Sequence, residues 1–149
     1  MKNLIVSLAV ALATGTTPAL AHGANNDPST EKVFARQFAG AQNVKWRELE
    51  DGYRQVLFTL NGTGIEAFYD QDAELLGTIR VLFFNQLPLR VIQTMESKFA
   101  KAVIIEVKEI ATAEGTHYKI LAEQNDKRYN LRISSLGDVL EKEKAGSKK

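Results

Sequence analysis

No cysteine occurs among the 149 residues. Disulfides, thiolate metal sites, a cysteine nucleophile and a lipid-bearing cysteine are therefore excluded, and stability has to come from an ordinary apolar core. Histidine is nearly as scarce, with two in the chain, His22 and His117. A serine triad or histidine-based acid–base site needs a histidine held by other elements, and neither of these stands in a nucleophile context such as Gly-x-Ser-x-Gly. An excess of charge of one sign is also missing: 19 Lys and Arg stand against 18 Asp and Glu, which gives no long-range pull toward nucleic acid or an anionic membrane. Beyond the N-terminal segment no apolar run approaches the length of a membrane span.

What is present begins with Lys2, the apolar run Leu4 to Ala13, polar Thr14 to Thr17, and then Ala19-Leu20-Ala21. That is the three-part plan of a secretory signal over residues 1–21, cut after Ala21. The run is short for a retained anchor, so no membrane insertion is expected after cleavage. Removing Lys2 leaves acid and base in equal number, in a chain the usual size of one domain. The expectation is a periplasmic or secreted monomer. A cut after Ala21 would place a free amino group beside the His22 imidazole, an arrangement able to hold copper, but the only further imidazole is distant His117. No metal and no cofactor are expected.

After a leader over 22–28, Asp27-Pro28-Ser29-Thr30-Glu31 favours a helix start, Val33, Phe34 and Phe38 share one helical face, and Gly40 is a stop. The period then becomes strand-like. Val44 and Trp46 alternate with Lys45 and Arg47, a turn follows at Glu50-Asp51-Gly52, and Val56, Phe58 and Leu60 share a face. Asn61-Gly62 is a strong hairpin signal, Ile65 to Tyr69 reads as a third strand, and Glu74 to Phe84 as a long or bent fourth. Pro88 opens a second helix carrying Val91, Ile92, Met95 and Phe99, and four further strands follow over Val103 to Ile110, Tyr118 to Ala122, Tyr129 to Ile133 and Val139 to Glu141. The charged segment 142–149 reads as a disordered tail.

Helix, four strands, helix, four strands is a duplication, and the side chains support it. Ile65 to Leu76 aligns without a gap on Tyr129 to Leu140, Phe38 and Trp46 are spaced like Phe99 and Val107, and Tyr53 is matched to Tyr118. A helix cannot bury its apolar stripe alone. The expected fold class is thus α+β: one domain over 29–141, made of repeats 29–84 and 85–141, whose antiparallel sheet of about eight strands carries both helices on one face. The other face is left open.

These residues resemble the PepSY-like family of exported bacterial proteins, which is similar in fold to the β-lactamase inhibitor proteins. The resemblance is carried by Phe34 and Phe38, Asn43-Val44-Lys45-Trp46, Tyr53, Phe58, Glu66-Ala67-Phe68-Tyr69-Asp70 with Glu74-Leu75-Leu76, Leu87-Pro88, Tyr118, Leu131 and Gly137. Two positions depart from it: Ala39-Gly40 where a proline is common, and Ala73 where glycine is usual. The resemblance implies an exported module without a cofactor, and the inhibitor proteins' use of their exposed sheet face implies protein or peptide binding.

The carboxylates Asp70, Asp72 and Glu74 lack the glycine and remaining ligands of a calcium loop and read as a solvated turn. Aromatics and arginines in the strands are the stronger candidates for partner contact: Trp46, Tyr53, Phe68, Tyr69, Arg80, Phe83, Phe84, Tyr118 and Arg132. Most such side chains serve a core. Adjacent Phe83 and Phe84 would point to opposite faces of a strand, leaving one exposed. The functional expectation is a non-catalytic module binding a protein or peptide through the open sheet face, with inhibition as one form of it. The alternative is a structural or envelope-maintenance protein without a discrete ligand site, which a uniformly charged face would favour.

Overall fold

Pro28 takes the first position of helix α1 (Pro28–Gln37), where its missing N–H costs nothing. The computed structural model describes residues 28–145. The signal segment 1–21, the leader up to residue 27, the His22 copper arrangement and the last four residues lie outside the described residues. After α1 come strands β1 (Gln42–Glu48), β2 (Arg54–Leu60), β3 (Thr63–Tyr69) and β4 (Leu75–Val81), then helix α2 (Leu89–Lys98), then β5 (Val103–Thr112), β6 (Gly115–Gln124), β7 (Lys127–Ser134) and β8 (Val139–Ala145). All eight strands form one antiparallel sheet in sequence order. Asn61 and Gly62, with φ of 50° and 78°, make the left-handed two-residue turn that joins β2 to β3.

Register shows that both helices cover the same face. Val56 on β2 stands opposite Ala67 on β3, Ala67 opposite Thr78 on β4, and Thr78 opposite Ala111 on β5. Val107, two pairs along β5, stands opposite Ile120 on β6, which stands opposite Leu131 on β7. Phe34 of α1 packs on Val56, Phe58, Ala67 and Tyr69, while Val91 and Met95 of α2 pack on Val107, Ile120 and Leu131. The two cores differ in texture. The first is rich in aromatic contacts, with Phe34 meeting Phe58 and Trp46 at ring-centroid distances of 5.0 and 5.4 Å, and the buried residues of the second are mainly aliphatic, with Tyr118 among them.

The duplication reaches individual hydrogen bonds. In the β3–β4 turn Ala73 N–H donates to the Asp70 carbonyl at 3.2 Å, and Glu74 N–H to Asp70 Oδ1 at 2.8 Å. In the β7–β8 turn Gly137 N–H donates to the Ser134 carbonyl at 3.0 Å, and Asp138 N–H to Ser134 Oγ at 3.1 Å. Asp70 therefore satisfies backbone groups, as an Asx turn does. A register shift follows each turn at the same place, next to Tyr69 and Ile133.

Four expectations need correction. Tyr53 does not correspond to Tyr118: Tyr118 pairs with Ile133, and the matching pair in the first repeat is Arg54 with Tyr69, so Arg54 is its counterpart. A one-residue slip moves a side chain to the other face. Val44 does not share a buried face with Trp46, because a register shift between Gln42 and Lys45 intervenes and leaves Val44 exposed. The fourth strand stops at Val81, and Phe84–Gln86 forms a short 3-10 turn. The segment 142–149 is not a loose tail as far as Ala145, since β8 runs that far. Lys142 holds it down, its ammonium lying 4.5 Å from the Tyr129 ring centre and 5.3 Å from that of Phe99.

Candidate functional site

Alternation along each strand sorts the candidate residues by face. Trp46, Tyr69, Arg80 and Tyr118 lie on the helix-covered side, by their pairing with Val56, Arg54, Ile65 and Ile133. Tyr69 is fully buried, its hydroxyl donates to Gln37 Oε1 at 2.8 Å, and burial pushes its pKa up to about 12. Arg80 grips Glu109 with two hydrogen bonds of 2.7 and 3.1 Å, and the Tyr118 hydroxyl donates to the same carboxylate at 3.2 Å. The Glu109 hydrogen bond raises the pKa of Arg80; burial raises that of Tyr118. This network sits between the two helix-covered cores and joins β4 to β5, so it serves the seam between repeats. Tyr53 stands ahead of β2 and is half-buried.

Only Phe68 and Arg132 of the nine lie on the open face. Phe68 is 6% exposed and stands opposite Gly77, which has no side chain to compete for the space. A Cβ on Gly77 would come within 2.6 Å of the Ala111 carbonyl oxygen, so the glycine also permits the approach of β5. Arg132 is exposed and pairs with Glu141 at 3.2 Å.

Phe83 and Phe84 lie in the connection that leaves β4, outside any strand, so strand alternation does not apply to them. Phe84 packs against the second core, while Phe83 is 78% exposed. Its backbone N–H donates to Gln86 Oε1 at 2.8 Å, which fixes the turn that presents the ring. Beside it, a shallow depression of about 560 Å³ is lined by Val81, Phe83, Ile105, Glu106 and Leu121 together with Leu82, Phe84, Ile104 and Val107 of the second core. Val81 and Ile105 are 59% and 45% exposed. Ile105 reaches this position through an extra residue in β5, since Ile104 pairs with Ala122 and Glu106 with Leu121.

The rest of the open face mixes polar and apolar side chains. Ile79 pairs with Ile110, Ile110 with His117, and His117 with Ser134. Burial, with Arg132 as the second cause, pushes the His117 pKa down. Lys108 lies 3.1 Å from Glu106, and Arg128 lies 3.0 Å from Glu123. No group of three or more histidine, aspartate or glutamate side chains placed to hold a metal ion occurs among the described residues. None of the helices there is long and apolar enough to cross a membrane. Strand alternation alone did not single out Val81, Ile105, Lys108, Lys119 or Leu121. Of these, Lys119 carried a readable signal, because it is placed symmetrically with Arg132 about the Asn125-Asp126 turn.

Among solved structures, a BLIP-like protein from Bacteroides fragilis NCTC 9343 superimposes with a TM-score of 0.73 at 22% identity, over 83% of this chain and 89% of that one. The fold is BLIP-like. A DUF2874 family protein from Bacteroides ovatus ATCC 8483 agrees at a TM-score of 0.72 and 19% identity, over 87% of this chain and 89% of the other. A protein from Bacteroides eggerthii DSM 20697, provisionally described as periplasmic, gives 0.71 and 17% over 79% and 88%. No family model and no curated protein matches the chain. The likeness is thus one of BLIP-like architecture.

Proposed function

We propose that this chain is an exported, non-catalytic module that binds a protein or peptide through the open face of its sheet. The observation that carries this reading is the apolar depression at the end of β4, where Val81 and Ile105 of the sheet and Phe83 of the connection beside it stay exposed, while both helices pack on the other face of the sheet. Exposed large apolar side chains gathered beside a recess are a mark of interaction sites. Export is supported by the signal-like segment 1–21 and by the periplasmic description of one structural neighbour. A non-catalytic role is supported by how the polar groups are engaged: Asp70 serves a turn, Glu109 is held by Arg80 and Tyr118, and His117 stands between Ile110 and Ser134. Inhibition of an enzyme is the finer proposal, drawn from the BLIP-like architecture.

The test is capture from a native envelope extract by the immobilised mature protein. Wild type and a helix-side surface variant, Arg36→Glu, are expected to retain the same partner, and the double variant Phe83→Ser, Ile105→Ser to lose it. Equal capture by all three would refute the sheet-face reading.

A further inference from the structure

The registers of β4 to β8 compose one row across the open face: Val81, Lys108, Lys119, Arg132 and Glu141. Three cations therefore stand side by side on neighbouring strands. Directly opposed side chains in a sheet have Cβ atoms about 4.5–5.5 Å apart, and like charges in that position are destabilising. The outer two are partly answered, Lys108 by Glu106 at 3.1 Å and Arg132 by Glu141 at 3.2 Å. Lys119, in the middle, is exposed and has no hydrogen-bond or ion-pair partner among the described residues. His117 on the same face also feels this field, since burial, with Arg132 as the second cause, lowers its pKa.

The row adjoins the apolar depression directly. Val81 belongs to both, and Leu121, which lines the depression, follows Lys119 by two residues on the same face of β6. Strand rise puts these two positions about 7 Å apart, the span of one dipeptide step in an extended chain. We infer that row and depression form one site, and that its occupant is a segment of a partner protein carrying an acidic side chain next to a large apolar one. The apolar side chain fills the depression beside Phe83 and Ile105, and the carboxylate lies over Lys119. Arg132 can turn toward the same carboxylate, because an exposed ion pair such as its contact with Glu141 holds little energy. A polyanion fits this surface poorly. Glu106, Glu123, Glu141 and Glu143 punctuate the same face, so the positive charge is local, and a nucleic-acid backbone would meet carboxylates on either side of it.

This inference rests on the sheet-face reading and adds the chemistry of the partner. It also gives the opposed cations a role that offsets their mutual repulsion. The experiment is panning of a random dodecapeptide phage library on the mature protein, followed by fluorescence binding of the most enriched synthetic peptide. Enriched sequences are expected to place Asp or Glu within two residues of Phe, Leu, Ile or Trp. Lys119→Glu is expected to weaken that peptide by roughly ten-fold or more, as reversal of an interface charge does. Lys119→Arg is expected to keep the binding. Lys119→Glu should also raise the denaturant midpoint, since it places an acid between two cations, so lost binding would not reflect lost folding. Enriched sequences without acids, no enrichment, or unchanged binding by Lys119→Glu would overturn the inference. If one of these occurs while the Phe83→Ser, Ile105→Ser variant still loses its envelope partner, the partner chemistry falls and the sheet-face reading stands. If that variant keeps its partner, both fall.

Discussion

Ala73 and Gly137 occupy the same place in the two repeats, and both have positive φ, 61° and 92°. Their surroundings make them unequal. A Cβ on Gly137 would meet the Arg90 carbonyl oxygen at 2.8 Å and Thr94 Oγ1 at 2.9 Å, because this turn docks on α2 and Thr94 donates to the Gly137 carbonyl at 2.7 Å. Gly137→Ala is expected to cost about 2–4 kcal/mol, from left-handed strain together with a contact against backbone that cannot yield. Ala73→Gly should stay within about 0.5 kcal/mol, because relief of left-handed strain is offset by a freer unfolded chain and a lost buried methyl. Urea midpoints of the two variants check the asymmetry.

At this scale the sequence was legible where a turn announced itself. Asn61-Gly62 declared both its hairpin and its register, and the alignment of Ile65–Leu76 with Tyr129–Leu140 anticipated turns that share hydrogen bonds. It was illegible where one extra residue entered. The inserted residue at Ile105 and the slip between Tyr53 and Arg54 leave no mark in composition, yet each decides which way side chains point. Most of the candidate site was lost for a related reason. Period-two alternation separates two faces but does not say which one the helices take, and Trp46, Tyr69 and Tyr118 were large because the covered side needed filling.

Among the elements, β8 shows how a charged segment comes to be ordered. Val139–Ala145 has little apolar surface of its own, and its part from residue 142 onward, read as composition, resembles a frayed end. Its order comes from the neighbour: pairing along β7, the Arg132–Glu141 contact, and the Lys142 stem and ammonium laid over Tyr129 and Phe99. Lys142→Ala is expected to lower stability by about 1 kcal/mol, whereas Lys127→Ala at the start of β7 should leave it within about 0.5 kcal/mol. Amide exchange across β7 and β8 should quicken in the first variant alone. Equal exchange in the two would mean that the aromatic clasp contributes nothing.

For the molecule as a whole, the question is whether two cores behave as one. They are separate clusters, one under α1 and one under α2, yet β4 and β5 are paired from Gly77 to Val81 and clamped by Arg80, Glu109 and Tyr118. Neither repeat ends in a free edge at that seam. A single cooperative transition is therefore expected. Trp46, the one tryptophan of the chain, lies in the first core, so its fluorescence follows that half while far-ultraviolet circular dichroism follows the whole. The two unfolding curves in urea should coincide. An earlier fluorescence transition would show that the repeats melt independently.

Strand order in the sheet is strand order in the chain. Each strand that emerges from a ribosome or a translocation pore finds its partner already in place immediately before it, and the one longer wait is the passage of α2 between Val81 and Val103. Loop closures in such a path are short, and non-local pairings, the slow step of most sheet proteins, are absent from it. Assembly can proceed like a zip drawn from one end, with no need to hold the whole chain unfolded until its last residue has arrived.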